Sequence, residues 1–228
     1  MDLRASHPYP SRRSAVLADN VVATSHPLAA QAGLSMLARG GNAVDAAIAT
    51  AITLTLVEPT GNGLGSDAFA IVWDGGRLYG LNASGRSPAG WTPERFASHS
   101  EMPFRGWESV TVPGAVSAWV SLSNRFGTLP FADLFAPAIG YAENGFIVTP
   151  IIAELWRRAA ETLGDYPGFS EAFLPGGRAP MAGERFTNAS LAKTFRSIAQ
   201  TKGASFYTGD LAQAICAFAD AHGAALSM

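Results

Sequence analysis

The residues that could do chemistry are few, and their spacing gives them no common task. The four histidines, His7, His26, His99 and His222, are scattered along the chain. They form no HExxH pair, and no carboxylate cluster stands at metal-ligand spacing, so no metal site is expected. His26, in Ser25-His26-Pro27, precedes a helical pattern and suits local hydrogen bonding better than general-base work. The single cysteine, Cys216, excludes an internal disulfide framework and a cysteine-rich metal site. Neither a GxSxG elbow nor a GxxxxGK[ST] loop occurs. The glycines of Gly61-x-Gly63-x-Gly65 precede a strand pattern instead of leading from a strand into a helix, and their spacing is not GxGxxG. That loop reads as a tight turn. Motif logic alone names no catalyst.

The elements that would position any site are clearer. Residues 1–20 are polar and proline-containing and read as an N-terminal arm, with 21–228 as the body of the chain. Pro27 opens a helix whose apolar face is read as Leu28, Gln31, Ala32, Leu34, Met36 and Leu37, and Gly40-Gly41 stops it. Asn42 is a suitable N-cap for a second helix, with Asp45 in the first turn where the helix dipole favours an anion. From Ala43 to Leu56 nearly every position is small or apolar, and a helix apolar on all sides must be buried on all sides. The runs 68–73 and 77–82, joined by Asp74-Gly75-Gly76, predict a β-hairpin. Further helices are predicted over 113–126, 131–144, 150–163, 189–201 and 209–222, and the Gly- and Pro-rich stretch 165–187 reads as irregular. Two strands alone do not make a stable sheet, so the core helix is expected to need a sheet that these residues do not fully supply.

Composition agrees. Only 15% of residues are charged, against about 25% in ordinary soluble chains, so much of the surface must be buried internally or against another polypeptide. A net charge of -2 with no basic run argues against nucleic acid or an anionic membrane surface as partner. The longest apolar stretch, Ala46 to Val57, is interrupted by threonines and well short of the ~20 residues of a membrane span. The opening residues MDLRASHPYPSRRSAV contain no apolar core of a secretory signal, and with the lone cysteine this suggests the cytoplasm.

Taken together, three blocks resemble the γ-glutamyltranspeptidase family. They are VVATSHPLAAQAGLSMLARGGNAVDAAIATAITLTLVEPTGNGLGSDAFAIVWDGG (21–76), SVTVPGAVSAWVSLSNRFGTLPFADLFAPAIGYAENGF (109–146) and LAKTFRSIAQTKGASFYTGDLAQAI (191–215). Their order follows the family from about residue 14 to the end, and YPSRR and LNASGRSP look most like the acylase-like bacterial branch. The resemblance implies an α+β fold, part of an αββα N-terminal-nucleophile hydrolase, made as a precursor that cleaves itself into two subunits. It implies amide hydrolysis or acyl transfer on a γ-glutamyl or other carboxylate-bearing amide, with no cofactor. A threonine freed at the small subunit's start would attack, its own α-amine serving as base.

No Thr-Thr pair, the family's nucleophile motif, occurs in this sequence. The resemblance therefore places the catalytic residue downstream, in a C-terminal part that would be the chain's partner, and this polypeptide alone is expected to be inactive. The family's arginine in R-E-x-A-P, which grips the substrate carboxylate, aligns with Ser84, and its glutamate with Gly85. Arg86, two residues on, would share a face with Ser84 in an extended strand, so Arg86 with Ser84 is the candidate substrate contact. Arg86 could equally brace its loop through an ion pair. A side-chain acylase of the cephalosporin type, or a non-catalytic binding module, are the alternative functions.

Overall fold

The computed structural model describes residues 15–228, so the first fourteen positions of the expected N-terminal arm lie outside the described residues. In chain order the elements are α1 (Pro27–Ala38), α2 (Ala43–Val57), β1 (Ala68–Trp73), β2 (Leu78–Ala83), α3 (Ala115–Phe126) and α4 (Ala136–Asn144). Then come β3 (Phe146–Ile147), α5 (Pro150–Leu163), α6 (Phe169–Phe173), β4 (Arg185–Phe186), α7 (Ala189–Thr201), α8 (Ala204–Tyr207) and α9 (Asp210–Ala221). The chain is α+β and mostly helical, as expected. It divides into two compact units: one runs up to Gly63 and resumes over Thr128–Phe195, the other holds Leu64–Gly127 and Arg196–Met228.

The first unit is built on the α1–α2 hairpin. Pro27 takes the first helical position, where its missing N–H costs nothing, and His26 caps the helix, its Nδ1 accepting from the Leu28 N–H at 3.2 Å. Helix α2 starts with a reciprocal capping box. Asn42 Oδ1 accepts from the N–H groups of Val44 and Asp45 at 2.9 and 3.1 Å, and Asp45 Oδ2 accepts from the Asn42 N–H at 2.9 Å. The same Asp45 carboxylate, 0% exposed, also accepts from the N–H groups of Thr128 at 3.0 Å and Leu129 at 3.2 Å. It thus fixes a helix start and a distant loop together.

Only Ala43 and Ala47 of α2 are exposed, because α1, α4 and a 3-10 turn at Phe131–Phe135 pack around it. The sheet that this helix was expected to need is not what covers it here; α1, α4 and the 131–135 turn do. At the helix crossing, a Cβ added to Gly33 would lie 2.4 Å from Thr50 Oγ1, so α1 and α2 reach this spacing only because position 33 carries no side chain.

A second ladder corrects the reading of 165–187 as irregular. Strand β4 pairs antiparallel with β3, Phe146 opposite Phe186 and Ile147 opposite Arg185. Trp156 of α5 packs on Phe186 with centroids 4.8 Å apart, and its Nε1–H donates to the Phe173 carbonyl at 2.9 Å. Strands of two residues carry no alternation to read, so burial of aromatic rings holds them instead.

In the second unit β1 and β2 form the predicted hairpin, in register from Ala68 opposite Ala83 to Trp73 opposite Leu78. Asp74 Oδ1 accepts from the N–H groups of Gly76 and Arg77 at 3.0 and 2.8 Å, which hold its carboxyl below the usual pKa. The inward residues pack on α3: the Tyr79 ring lies 5.2 Å from that of Phe126, and the Arg125 guanidinium sits over Tyr79 at 4.4 Å. The outward face is apolar and open, with Phe69 67%, Ile71 78%, Trp73 64% and Leu78 61% exposed. Among the described residues no helix is long and apolar enough to cross a membrane.

Replacing Asp45 by Ala leaves three partly buried N–H donors without their acceptor. Denaturant unfolding should report a loss of about 3–5 kcal/mol, and Asp45→Asn a clearly smaller one. Equal losses for the two variants would show that the acceptor oxygens are not what matters.

Candidate functional site

Beyond β2 the chain is held by its backbone. The Ser84 N–H donates to Asn82 Oδ1 at 2.9 Å, and the Ser84 carbonyl accepts from the Thr111 hydroxyl at 3.5 Å. The Arg86 carbonyl accepts from the Val112 N–H at 2.9 Å. Between them Gly85 adopts φ +79, a conformation side chains rarely tolerate, and rests against Val112. The strand alternation that would align Ser84 with Arg86 therefore breaks off at Gly85. Ser84 is half-buried and Arg86 exposed.

This arrangement spends the backbone on position and leaves the side chains uncommitted. The Arg86 guanidinium makes no ion pair or hydrogen bond among the described residues. Among the described residues, what Arg86 itself adds to the bracing of this loop comes from its backbone carbonyl, beside the two bonds made by Ser84. A planar, always-charged fork at a fixed backbone position can take both oxygens of a carboxylate at once. The half-buried Ser84 hydroxyl is a further donor in this segment, but with the alternation broken at Gly85 strand geometry does not set it on the same face as Arg86.

The other candidates are placed in structural roles. His26 is 2% exposed and spends Nδ1 on capping; burial lowers its pKa, with nearby Glu58 opposing the shift. The His99 ring lies tilted beside Phe96 and the His222 ring tilted beside Phe218, at 6.2 and 4.3 Å between centroids. His7 lies outside the described residues. Cys216 is a half-buried free thiol. Among the described residues no three His, Cys, Asp or Glu side chains gather as metal ligands. The glycine-rich loop begins as a turn, Gly61 and Asn62 donating their N–H groups to the Glu58 carbonyl, both at 3.1 Å. Two open clefts in the first unit, about 730 and 360 Å³, contain neither Ser84 nor Arg86.

Sequence reasoning missed the residues that hold the segment: Asn82, Thr111, Val112 and Gly114, the last because a Cβ there would lie 1.9 Å from the Ala83 carbonyl oxygen. Asn82 had a local signal, since an Asn two residues before a strand exit favours a side-chain turn. The other three act across more than 25 residues of chain and carried none.

Residues 29–228 match the family described as Gamma-glutamyltranspeptidase. A glutathione hydrolase-like proenzyme of Bacillus subtilis is 37% identical over 206 residues, which are 89% of this chain and 39% of that protein. An oxamate amidohydrolase proenzyme of Klebsiella pneumoniae is 41% identical over 197 residues, covering 82% of this chain and 37% of that protein. The crystal structure of a cephalosporin acylase from Bacillus halodurans is similar at TM-score 0.92 and 51% identity, covering 97% of this chain and 43% of that one. The Helicobacter pylori gamma-glutamyltranspeptidase gives 0.86 at 28%, covering 96% and 64%. The chain thus spans less than two-fifths of the length of these two curated relatives.

The lowered pKa of His26 makes a pH test. The folded chain favours neutral imidazole, so this stabilisation is complete above the unfolded pKa of about 6.5 and is lost as pH falls from there through the lower folded value. His26→Asn keeps a capping oxygen and removes the titration. The melting temperature of the parent should fall more steeply than that of His26→Asn between about pH 7 and 5.5. Parallel slopes would mean that His26 does not titrate in this way.

Proposed function

The chain belongs to the γ-glutamyltranspeptidase family, and on that premise we propose that it is the front portion of an autoprocessed amidohydrolase or acyltransferase. Residues 21–228 serve as a large-subunit segment, and the nucleophilic threonine comes from the remainder of the precursor. The outward face of the hairpin supports this partnership: Phe69, Ile71, Trp73 and Leu78 form an open apolar surface. Covering such side chains contributes on the order of 5 kcal/mol. Without the nucleophile, this polypeptide has no acyl-transfer chemistry of its own.

The segment Ser84–Arg86 is what this chain brings to the reaction. Arg86, with its backbone pinned and its guanidinium uncommitted among the described residues, holds the substrate carboxylate, and Ser84 donates to it. Anchoring that group presents the amide carbonyl to the threonine hydroxyl in a reactive geometry, which lowers the entropic part of the barrier. Water or an amine then releases the acyl group. The relatives named for glutathione and oxamate support a carboxylate-bearing amide as the substrate class, since both compounds carry a free carboxylate beside an amide.

A second reading is a side-chain acylase of the cephalosporin type. The similarity to the Bacillus halodurans acylase, at 51% identity, favours it, as does serine where the transpeptidases carry arginine.

The deciding assay offers γ-glutamyl-p-nitroanilide and glutaryl amides to the protein joined to its nucleophile-bearing part, and to this chain alone. The joined protein should turn over one class and the lone chain neither; turnover by the lone chain would refute the partnership. In the joined protein, Arg86→Ala should raise KM or lower kcat/KM by about an order of magnitude or more. Unchanged values would remove Arg86 from the site.

A further inference from the structure

The position of Arg86 has a cause outside its own segment. The start of α3 lies against the end of β2 with no side chain between them. A Cβ added at Gly114 would fall 1.9 Å from the Ala83 carbonyl oxygen and 3.1 Å from the Gly85 nitrogen. A Cβ added at Gly85 would fall 1.9 Å from the Val112 carbonyl oxygen. Both distances to oxygen are shorter than any real contact, so the two stretches of backbone interlock through two opposed gaps. The Val112 N–H to Arg86 carbonyl bond closes the interlock at its far end.

The α3 side of this interlock is itself anchored. The N–H groups of Gly114 and Ala115 donate to the Ser66 carbonyl at 3.2 and 2.9 Å. The Tyr207 hydroxyl accepts from the Ser117 N–H and donates to the Pro113 carbonyl, both at 2.9 Å. Burial raises the Tyr207 pKa, so the hydroxyl keeps its proton for that bond. On the other flank, Asn82 Oδ1 fixes the Ser84 N–H. The Ser84–Arg86 backbone is thus gripped from α3 on one side and from β2 on the other.

We infer that Gly114 and Asn82 are positioning residues for Arg86: they touch no substrate, yet they set where its guanidinium stands and hence how tightly a carboxylate-bearing substrate is held. This rests on the reading of Arg86 as the carboxylate anchor. A bidentate pair requires both N–H···O lines to be met together, and a displacement of about 1 Å is enough to lose that fit. Any side chain at 114 forces such a displacement, because the obstacle it meets is backbone. Loss of the Asn82 oxygen frees one end only and costs less.

The test is a double-mutant cycle in the protein joined to its nucleophile-bearing part, with Gly114→Ala and Asn82→Ala each made alone and with Arg86→Ala. Steady-state rates are followed on whichever of the two amide classes the parent turns over. Gly114→Ala should raise KM about tenfold, Asn82→Ala about threefold, with kcat held within about twofold. In the Arg86→Ala background both increments should vanish, which a general loss of stability would not produce. If Gly114→Ala yields no processed protein, the Asn82 cycle decides alone. Unchanged KM in the single variants, or increments that persist without Arg86, overturn the positioning role. An Arg86→Ala protein with the parent KM and the parent kcat/KM overturns the anchor itself, a separate outcome.

Discussion

The first unit depends on one buried anion. The Asp45 carboxylate is wholly withdrawn from water and would be costly there without partners. Its partners are backbone N–H groups: that of Asn42 at the start of its own helix, and those of Thr128 and Leu129 more than eighty residues later. One side chain therefore solves two problems, the free donors of a helix N-terminus and those of a loop entering the 3-10 turn Phe131–Phe135. Because a carboxylate attracts amides from any part of the chain, it can fix long-range register without a sheet. The apolar α2 behind it then has neighbours at a defined height on several sides.

Much of the fold was legible because its cues are local. Pro27, the Gly40-Gly41 stop and the Asn42/Asp45 pair mark the α1–α2 hairpin within a few residues of sequence. The β1–β2 hairpin announced itself through alternation and the Asp74-Gly75-Gly76 turn, with β2 beginning one residue later than read. What escaped was short or tertiary. Strands β3 and β4 have two residues each, and the four residues of α8 fall below the length at which periodicity speaks. The covering of α2 by α1, α4 and the 131–135 turn could not be read, because a pattern apolar on all sides says that a helix is buried without saying by what.

The choice of residues for the candidate site rests on a family pattern, and the shape of the segment that carries them was not legible in the sequence. Ser84 and Arg86 were reached through a family pattern, while their geometry turns on Gly85, whose positive φ ends the simple two-residue alternation. Glycine in a sequence is compatible with many conformations, and only the Val112 carbonyl pressed against it selects this one. The bracing atoms are mostly backbone amides and carbonyls, which every residue possesses. Composition and motif are blind to them.

The contact between Gly33 and Thr50 limits how this chain can change over time. Thr50 Oγ1 stands where a methyl at position 33 would have to go, and the Ala46 carbonyl oxygen lies just beyond at 3.1 Å. Position 33 cannot gain even a methyl alone, and with Thr50 trimmed Val22 Cγ1 at 3.0 Å and the Ala46 carbonyl would still have to give by a few tenths of an ångström. Bulk at 33 is therefore tied to bulk at 50 and at 22, and a lineage that enlarges position 33 needs room made around it first.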